Sequence, residues 1–505
     1  MNLAFWKKPS SSHTKRKRLA LRAFEGSIRS RLNSWRPAAD DINSDIQHAL
    51  SDLRAISRDF YQNNDLVKRY VQLIKTHVVG PKGVALQCLF KNSKGDLDHD
   101  INDALENAFR KWGKKGSPEV TRKHSWLAIQ HLVVTHLVRD GEAFIRLVRN
   151  SKQNHFGFAL QLLNPSACDD RLNVIPQNND TNPVVMGIEI DRLYGFPVSY
   201  FFKTTAKGEG IVSFRGNQYL KIPANEMIHV FDSLDASQVR GIPWIHTGIR
   251  RLRQLSGYEY AELVKMRVQA SSMGFFTRTV EDYERSREDG EDDKDDSVDG
   301  AIVQSASPGS FEVLPPGMDF KSWNPDGPPT QYRDYVKSQI RGIAAGLGVS
   351  YNSLAQDLEG VNFSSLRSGL LEERDFYKQS QEYLIESFYL PVYSAWLETS
   401  TLTGAVPIRA KDIDKYSTPT FLPRRWAWVD PLKDTKSAVE GIAAGIKSRR
   451  EIAQEQGRSI EDIFLELKRE KDLAEKLGLN FDKDNAPEPR KKSNSSKELI
   501  DAEGE

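Results

Sequence analysis

Two helical segments bracket a stretch that can continue neither of them. Residues 251–273 read as one uninterrupted helix, with Leu252, Leu255, Leu263, Met266, Ala270 and Met273 near one stripe. Residues 332–347 read as a second, apolar at Tyr332, Val336, Ile340, Ile343 and Leu347. Between them lie the acidic run EDYERSREDGEDDKDDSVD (281–299), the hairpin-like AIVQSASPGSFEVLPPG (301–317) and a Pro/Gly stretch at 325–329. The chain therefore leaves on one helix, builds a small insert and returns on another. The order alone suits a helical hairpin with a decorated tip.

At 505 residues the chain is too long for one compact core, so several domains are expected. Its net charge of +2 hides opposite local fields: residues 7–36 are strongly basic and residues 281–299 strongly acidic. Residues 1–33 read as a mobile basic tail and residues 481–505, rich in Pro, Lys, Asn and Ser, as disordered. Helical spacing dominates residues 41–79, marked by Ile42, Ile46, Leu50, Leu53, Leu66, Tyr70, Leu73 and Ile74, and Gly80-Pro81 stops it. Across residues 126–148 a helix gives way at Asp140-Gly141 to the alternating run AFIRLV, and residues 198–202, 211–214 and 227–231 add β-rich stretches. The part up to residue 250 is thus mixed α+β. Residues 366–397 predict a third long helix, bent at Pro391 because proline lacks the backbone donor. Residues 424–431, with Trp426 and Trp428, read as extended, and two smaller helices follow at 435–445 and 459–477.

Reactive chemistry has little to stand on. Cys88 and Cys168 have no CxxC partner, which argues against a disulfide framework or a cysteine zinc site and for a reducing compartment. No run approaches the ~18 apolar residues of a membrane span, and no apolar region follows the basic N-terminus as a secretory signal requires. GIAAGIKS (441–448) puts Ile446-Lys447 where a phosphate loop needs Gly-Lys, and it sits inside a helical pattern. DDSVDG (295–300) imitates the start of a calcium loop, yet Ala306 takes the place of the bidentate carboxylate. His124, His131 and His136, with Asp140 and Glu142, lack metal spacing: His131 and His136 are five apart, not four. With no GxSxG elbow either, no catalytic site, metal or cofactor is expected.

Residues 343–367 read IAAGLGVSYNSLAQDLEGVNFSSLR: an apolar helix, a turn, a polar loop and a new helix start. This resembles the signature of lambda-family bacteriophage portal proteins. Further matches occur in order: NNDLVKRYVQLIKTHVVG (63–80), Asp140-Gly141-Glu142, MGIEIDRLYGFP (186–197), IPANEMIHVF (222–231), QVRGIP (238–243) and Val429-Asp430-Pro431-Leu432-Lys433. The resemblance covers residues 34–480, and its strength lies in the order of many weak motifs. It implies an α+β portal fold: a wing (34–250), a stem helix (251–275), a β-containing clip (276–328), a second stem helix (329–347), a tunnel loop with a long helix (348–398), an extended return to the wing (399–435) and a helical crown (436–480). It also implies a homo-oligomeric ring of about a dozen copies at one capsid vertex. Through that ring double-stranded DNA would be packaged and ejected. Terminase large subunit, major capsid and scaffold proteins and head-tail connector proteins are the implied partners, with assembly in the host cytoplasm. A DNA-processing enzyme with an unrecognised site, or another structural capsid protein, are the alternatives.

On the helix from Tyr332, Arg333, Lys337 and Arg341 recur every four residues and share one stripe beside the apolar one. Such a stripe is either a solvated face or, in a ring, a collar of cations that contacts phosphates without reading bases. By resemblance the loop bearing Asn352, Gln356, Asp357 and Glu359 narrows the channel. Arg367 and Arg374, seven apart on the next helix, would offset its acids or pair between subunits. Glu281, Asp282, Glu284, Asp289, Glu291, Asp292 and Asp293 fall where the family places its clip, which makes them candidates for docking motor and connector proteins, or else a solvated acidic loop.

Overall fold

The computed structural model describes residues 41–92, 94–176, 181–204, 219–270, 274–278, 318–322, 332–360, 362–426, 431–456 and 458–478. The basic tail, the acidic run with its seven candidate docking residues, the hairpin-like 301–317, the calcium-loop imitation, the β-rich 211–214, Trp428 and residues 481–505 lie outside them.

The N-terminal helical pattern is two helices, α1 (Ile42–Asn63) and α2 (Asp65–Ile74). Asn64 separates them: its backbone is extended and its side chain accepts from the Val67 amide at 3.1 Å, capping α2. A π-helical turn, Lys75–Val79, carries the chain to Gly80 at φ +79°. Then come β1 (Ala85–Gln87), α3 (His99–Trp112) and α4 (Trp126–Asp140). Gly141, at φ +88°, ends α4 in the left-handed region, and β2 (Glu142–Arg149) starts at once, as the Asp140-Gly141 turn predicts.

β2 is the middle of an antiparallel sheet between β3 (Phe158–Leu163) and β8 (Met227–Phe231). A four-stranded antiparallel meander precedes β8: β4 (Val184–Val185), β5 (Ile188–Ile190), β6 (Pro197–Lys203) and β7 (Tyr219–Pro223).

The outgoing helix is α5 (Ile249–Ala270), followed by β9 (Gly274–Arg278); β10 (Met318–Ser322) and α6 (Tyr332–Gly346) bring the chain back. β9 and β10 pair antiparallel, Arg278 opposite Met318. The two helices also run antiparallel. Arg251 lies on Gly342, where a Cβ would meet its Nη1 at 1.4 Å, and Tyr258 packs against Tyr332 and Tyr335 with centroids 5.7 and 5.0 Å apart.

Next come a short α7 (Tyr351–Ala355) and α8 (Phe363–Leu384). The irregularity expected at Pro391 takes the form of a π-helical turn, Ile385–Tyr389, whose last bond runs from Leu390 N–H to Ile385 O. Pro391 then sits in the first turn of α9 (Leu390–Leu402), where a missing donor costs least. β11 (Thr420–Leu422) returns to pair with β1. The C-terminal part holds α10 (Pro431–Ala443), α11 (Arg449–Glu455) and α12 (Ile460–Leu477). Of these, α11 has no counterpart among the sequence expectations, although its Ser448/Glu451 capping box is in plain view. The phosphate-loop imitation is not wholly helical: Gly445, at φ +72°, turns the chain and Ser448 caps α11.

One apolar core runs from Val67 in α2 to Phe421 in β11, so residues assigned by sequence to wing, stem, loop and long helix share it. At its centre Phe109 of α3 meets Tyr393 and Trp396, and Trp126 of α4 meets Phe388 and Tyr389, with ring centroids between 5.0 and 5.9 Å, while Trp112 of α3 packs against Phe109, Trp126 and Phe158. Edge-on and tilted pairs of this kind add about 0.5–1.5 kcal/mol each beyond their burial. Leu252 and Leu255 of α5, Ile343 of α6 and Leu347 just after it reach into the same core. The helix pair is thereby fixed at its base.

Candidate nucleic-acid interface

The cation stripe on α6 forms as its spacing predicts, but the loop after α7 folds back onto it. Arg333 pairs with Glu359, and Lys337 Nζ lies 3.4 Å from Asp357 Oδ2. The Tyr351 hydroxyl donates to that same Asp357 oxygen at 2.8 Å, and the Glu359 amide donates to Asp357 Oδ1 at 2.9 Å. The Glu359 amide and the Tyr351 hydroxyl, with Lys337, hold the Asp357 carboxyl below its usual range. The Tyr351 ring carries two cations, Lys337 Nζ and Arg341 Cζ each 5.5 Å from its centroid. Arg341 is exposed, and among the described residues no carboxylate pairs with it. Gln356 closes α7 in the left-handed region at φ +55°, and Asn352 is half-buried on α7. Arg333, Lys337, Arg341, Asp357 and Glu359 thus form one cluster.

Arg367 and Arg374 do not join it. They do share a face of α8, but that face looks at the C-terminal helices: Arg367 Nη2 is 3.4 Å from Asp434 Oδ1, and the Arg374 guanidinium lies 5.7 Å over the Trp426 ring. Together with Leu371, Ser437, Lys447 and Glu455 they line a cleft of about 230 Å³. The loop acids are offset by α6, not by α8.

Sequence reasoning missed a second, buried charge cluster. Glu142 opens β2 directly after the glycine turn, and Arg54 of α1 and Arg240 both reach Glu142 Oε1 at 2.6 Å. The His229 Nε2 lies 3.0 Å from Oε2, and the Gly241 amide donates to Oε2 at 3.0 Å. Next to it Asp140 pairs with Arg58 and Arg139, each at 2.6 Å. Burial alone would raise the Glu142 pKa, but Arg240, Arg54 and His229 outweigh it and hold the carboxyl well below its ordinary value. Burial also holds His229 and His131 below the ordinary imidazole value and pushes His136 down to about 4. Asp140 and Glu142 are therefore committed to arginines, and among the described residues no group of His, Cys, Asp and Glu is placed to hold a metal ion. Backbone packing explains the two glycines: a Cβ on Gly141 would lie 2.1 Å from the Ile242 carbonyl carbon, and one on Gly241 2.2 Å from the Gly141 oxygen. The signal available in sequence was the pair of fragments DGE and RGIP, each of which needs the other.

The family profile described as "Phage portal protein, lambda family" matches residues 29–381. The chain belongs to that family. A probable portal protein of Halomonas phage phiHAP-1 is 34% identical over 474 residues, covering 93% of this chain and 90% of that protein. The portal protein of Escherichia phage N15 is 22% identical over 502 residues, covering 90% of each. Among solved structures, the neck of a native gene transfer agent particle with C12 symmetry aligns over 81% of this chain and 93% of that one, at 14% identity and a TM-score of 0.41. As a portal protein the chain is a phage head-tail connector, a structural role. The DGE and RGIP fragments of this portal protein meet at Glu142, so the motifs that mark the family in sequence are also what join α1, the central sheet and the base of α5. Among the described residues no helix is long and apolar enough to cross a membrane.

Proposed function

We propose that copies of this chain close into a ring, about a dozen by family resemblance, at one vertex of a phage capsid, with the α5 and α6 pair lining a passage for double-stranded DNA. The observation that carries this reading is the half-covered stripe of α5. Leu252 and Leu255 are buried, but farther out Tyr260, Leu263, Val264 and Met266 are 68%, 49%, 39% and 42% exposed. Among the described residues nothing covers these side chains, and a neighbouring copy in a heterologous interface would. The cations Arg333, Lys337 and Arg341 then face the lumen and touch phosphates without base selectivity. Within the wing a turn whose Asp191 carboxylate accepts from the Leu193 and Tyr194 amides exposes Leu193, Tyr194 and Phe196, which would meet the surrounding capsid and scaffold proteins. Residues 276–328, the clip by family resemblance, dock the terminase large subunit and head-tail connector proteins. ATP hydrolysis belongs to that motor and not to this chain.

Native mass spectrometry and negative-stain microscopy test the ring directly. A closed ring with a central hole is expected. A monomer or twofold dimer at all concentrations, even beside scaffold protein, would sink the reading. Purified rings are expected to hydrolyse neither ATP nor DNA with magnesium present. Turnover abolished by a point substitution in this chain would return it to the enzymes.

A further inference from the structure

We infer that the 351–360 loop is an internal competitor for duplex DNA: with the passage empty, Asp357 and Glu359 occupy the α6 cations that phosphates take up when DNA is inside. The inference rests on the reading that α6 faces the lumen, and it adds a role for two acids that otherwise sit badly in a passage for a polyanion.

The loop is built for such an exchange. Its base is fixed, because the Ser350 and Ser353 hydroxyls donate to Glu373 Oε2 of α8 at 2.9 and 2.7 Å and Glu373 is buried. Beyond Gln356 the side chains of the tip are held, among the described residues, by contacts with α6 and Tyr351. The pair of Arg333 with Glu359 has side chains 66% and 68% exposed, and that of Lys337 with Asp357 24% and 27%. Exposed pairs of this sort contribute about 0–1 kcal/mol each. A tethered carboxylate held that loosely yields to a phosphate and returns once the phosphate has moved on. Because one anion replaces another, the cations are never left unpaired and never gain much by holding DNA. The result is a surface that shields phosphate charge without gripping it. Arg341, which has the Tyr351 ring and, among the described residues, no carboxylate, is the cation left available to phosphate.

The test uses assembled rings of the full chain. In D357N/E359Q rings the cations are released, and a short duplex should bind about tenfold tighter near 0.1 M salt, with a steeper fall of log K against log salt, as more phosphates are contacted. Adding R333Q/K337Q to that variant should return both affinity and slope to the parent level or below. Hydrogen exchange reads the loop itself: amides of residues 357–360 should exchange faster in R333Q/K337Q rings than in the parent, and saturating the parent with duplex should speed them as well. Unchanged loop exchange in R333Q/K337Q rings, or D357N/E359Q rings that bind DNA with the parent's affinity and slope, would overturn the inference while leaving the ring intact. Failure of the parent to assemble is seen separately by mass spectrometry and would overturn the ring reading with it.

Discussion

Glu142 and Asp357 are both carboxylates placed between cations, yet they do opposite work. Glu142 is fully buried with its two arginine partners almost as deeply buried, so it is part of the structure and cannot be given up. Asp357 has its lysine partner at 3.4 Å with a quarter of each side chain exposed, and water can replace either partner. Burial raises the cost of breaking an ion pair far more than it raises the benefit of making one. The same residue types therefore give a fixed joint at the base of the central sheet and a replaceable contact on the cation stripe of α6.

The largest break of this contrast is Glu142→Gln. It leaves Arg54 and Arg240 charged and uncompensated in the interior, and a loss of about 3–5 kcal/mol in denaturant unfolding is expected. A loss under 1 kcal/mol would mean that water reaches the site.

A pH series sharpens it. Glu142 has a depressed folded-state pKa, so its stabilisation is full above its unfolded value near 4.5 and is lost as pH falls through the folded value. Burial holds His77 and His136 down to about 4 and His229 below its ordinary value. In the window from about 6.5 down toward 4, the unfolded chain binds protons that these buried rings refuse. Both effects have one sign: the urea midpoint should fall steadily from pH 7 to pH 4. The half-buried pair of Lys337 and Asp357, which water reaches, should add little to that slope.

At the next level down, Asn64→Ala removes a helix cap from a core-facing element and should cost about 1 kcal/mol. The smallest effect is expected at the exposed pair itself. A double-mutant cycle on Arg333 and Glu359, measured on stability, should give a coupling below about 1 kcal/mol that shrinks with salt. A coupling as large as that of the Glu142 cluster would erase the distinction drawn between the two regions.

Local signals were the legible ones. The glycine stop after α4, the alternating run of β2, the four-residue rhythm of Arg333, Lys337 and Arg341 and the seven-residue pairing of Arg367 with Arg374 each depend on a few neighbouring positions, and each appears in the structure. What spacing cannot supply is the partner across the fold. Arg240 lies 98 residues from Glu142, and Glu359 lies 26 from Arg333. The face shared by Arg367 and Arg374 was readable, but not that Asp434 and Trp426 lie opposite it. Nor does spacing show that the aromatic side chains of α3, α4, the π-helical turn and α9 interlock. The Ser448/Glu451 box, by contrast, is a purely local signal, written in four consecutive residues.

The antiparallel ladder of β9 and β10 has a consequence for how such chains diversify. With Arg278 directly opposite Met318, the two ends of the intervening polypeptide are already brought together before any of it folds. Doubling its length then adds only about 0.6 kcal/mol of closure entropy. The ladder is in effect a socket: the polypeptide between its strands can be lengthened, shortened or exchanged at little entropic cost to the pairing that closes it.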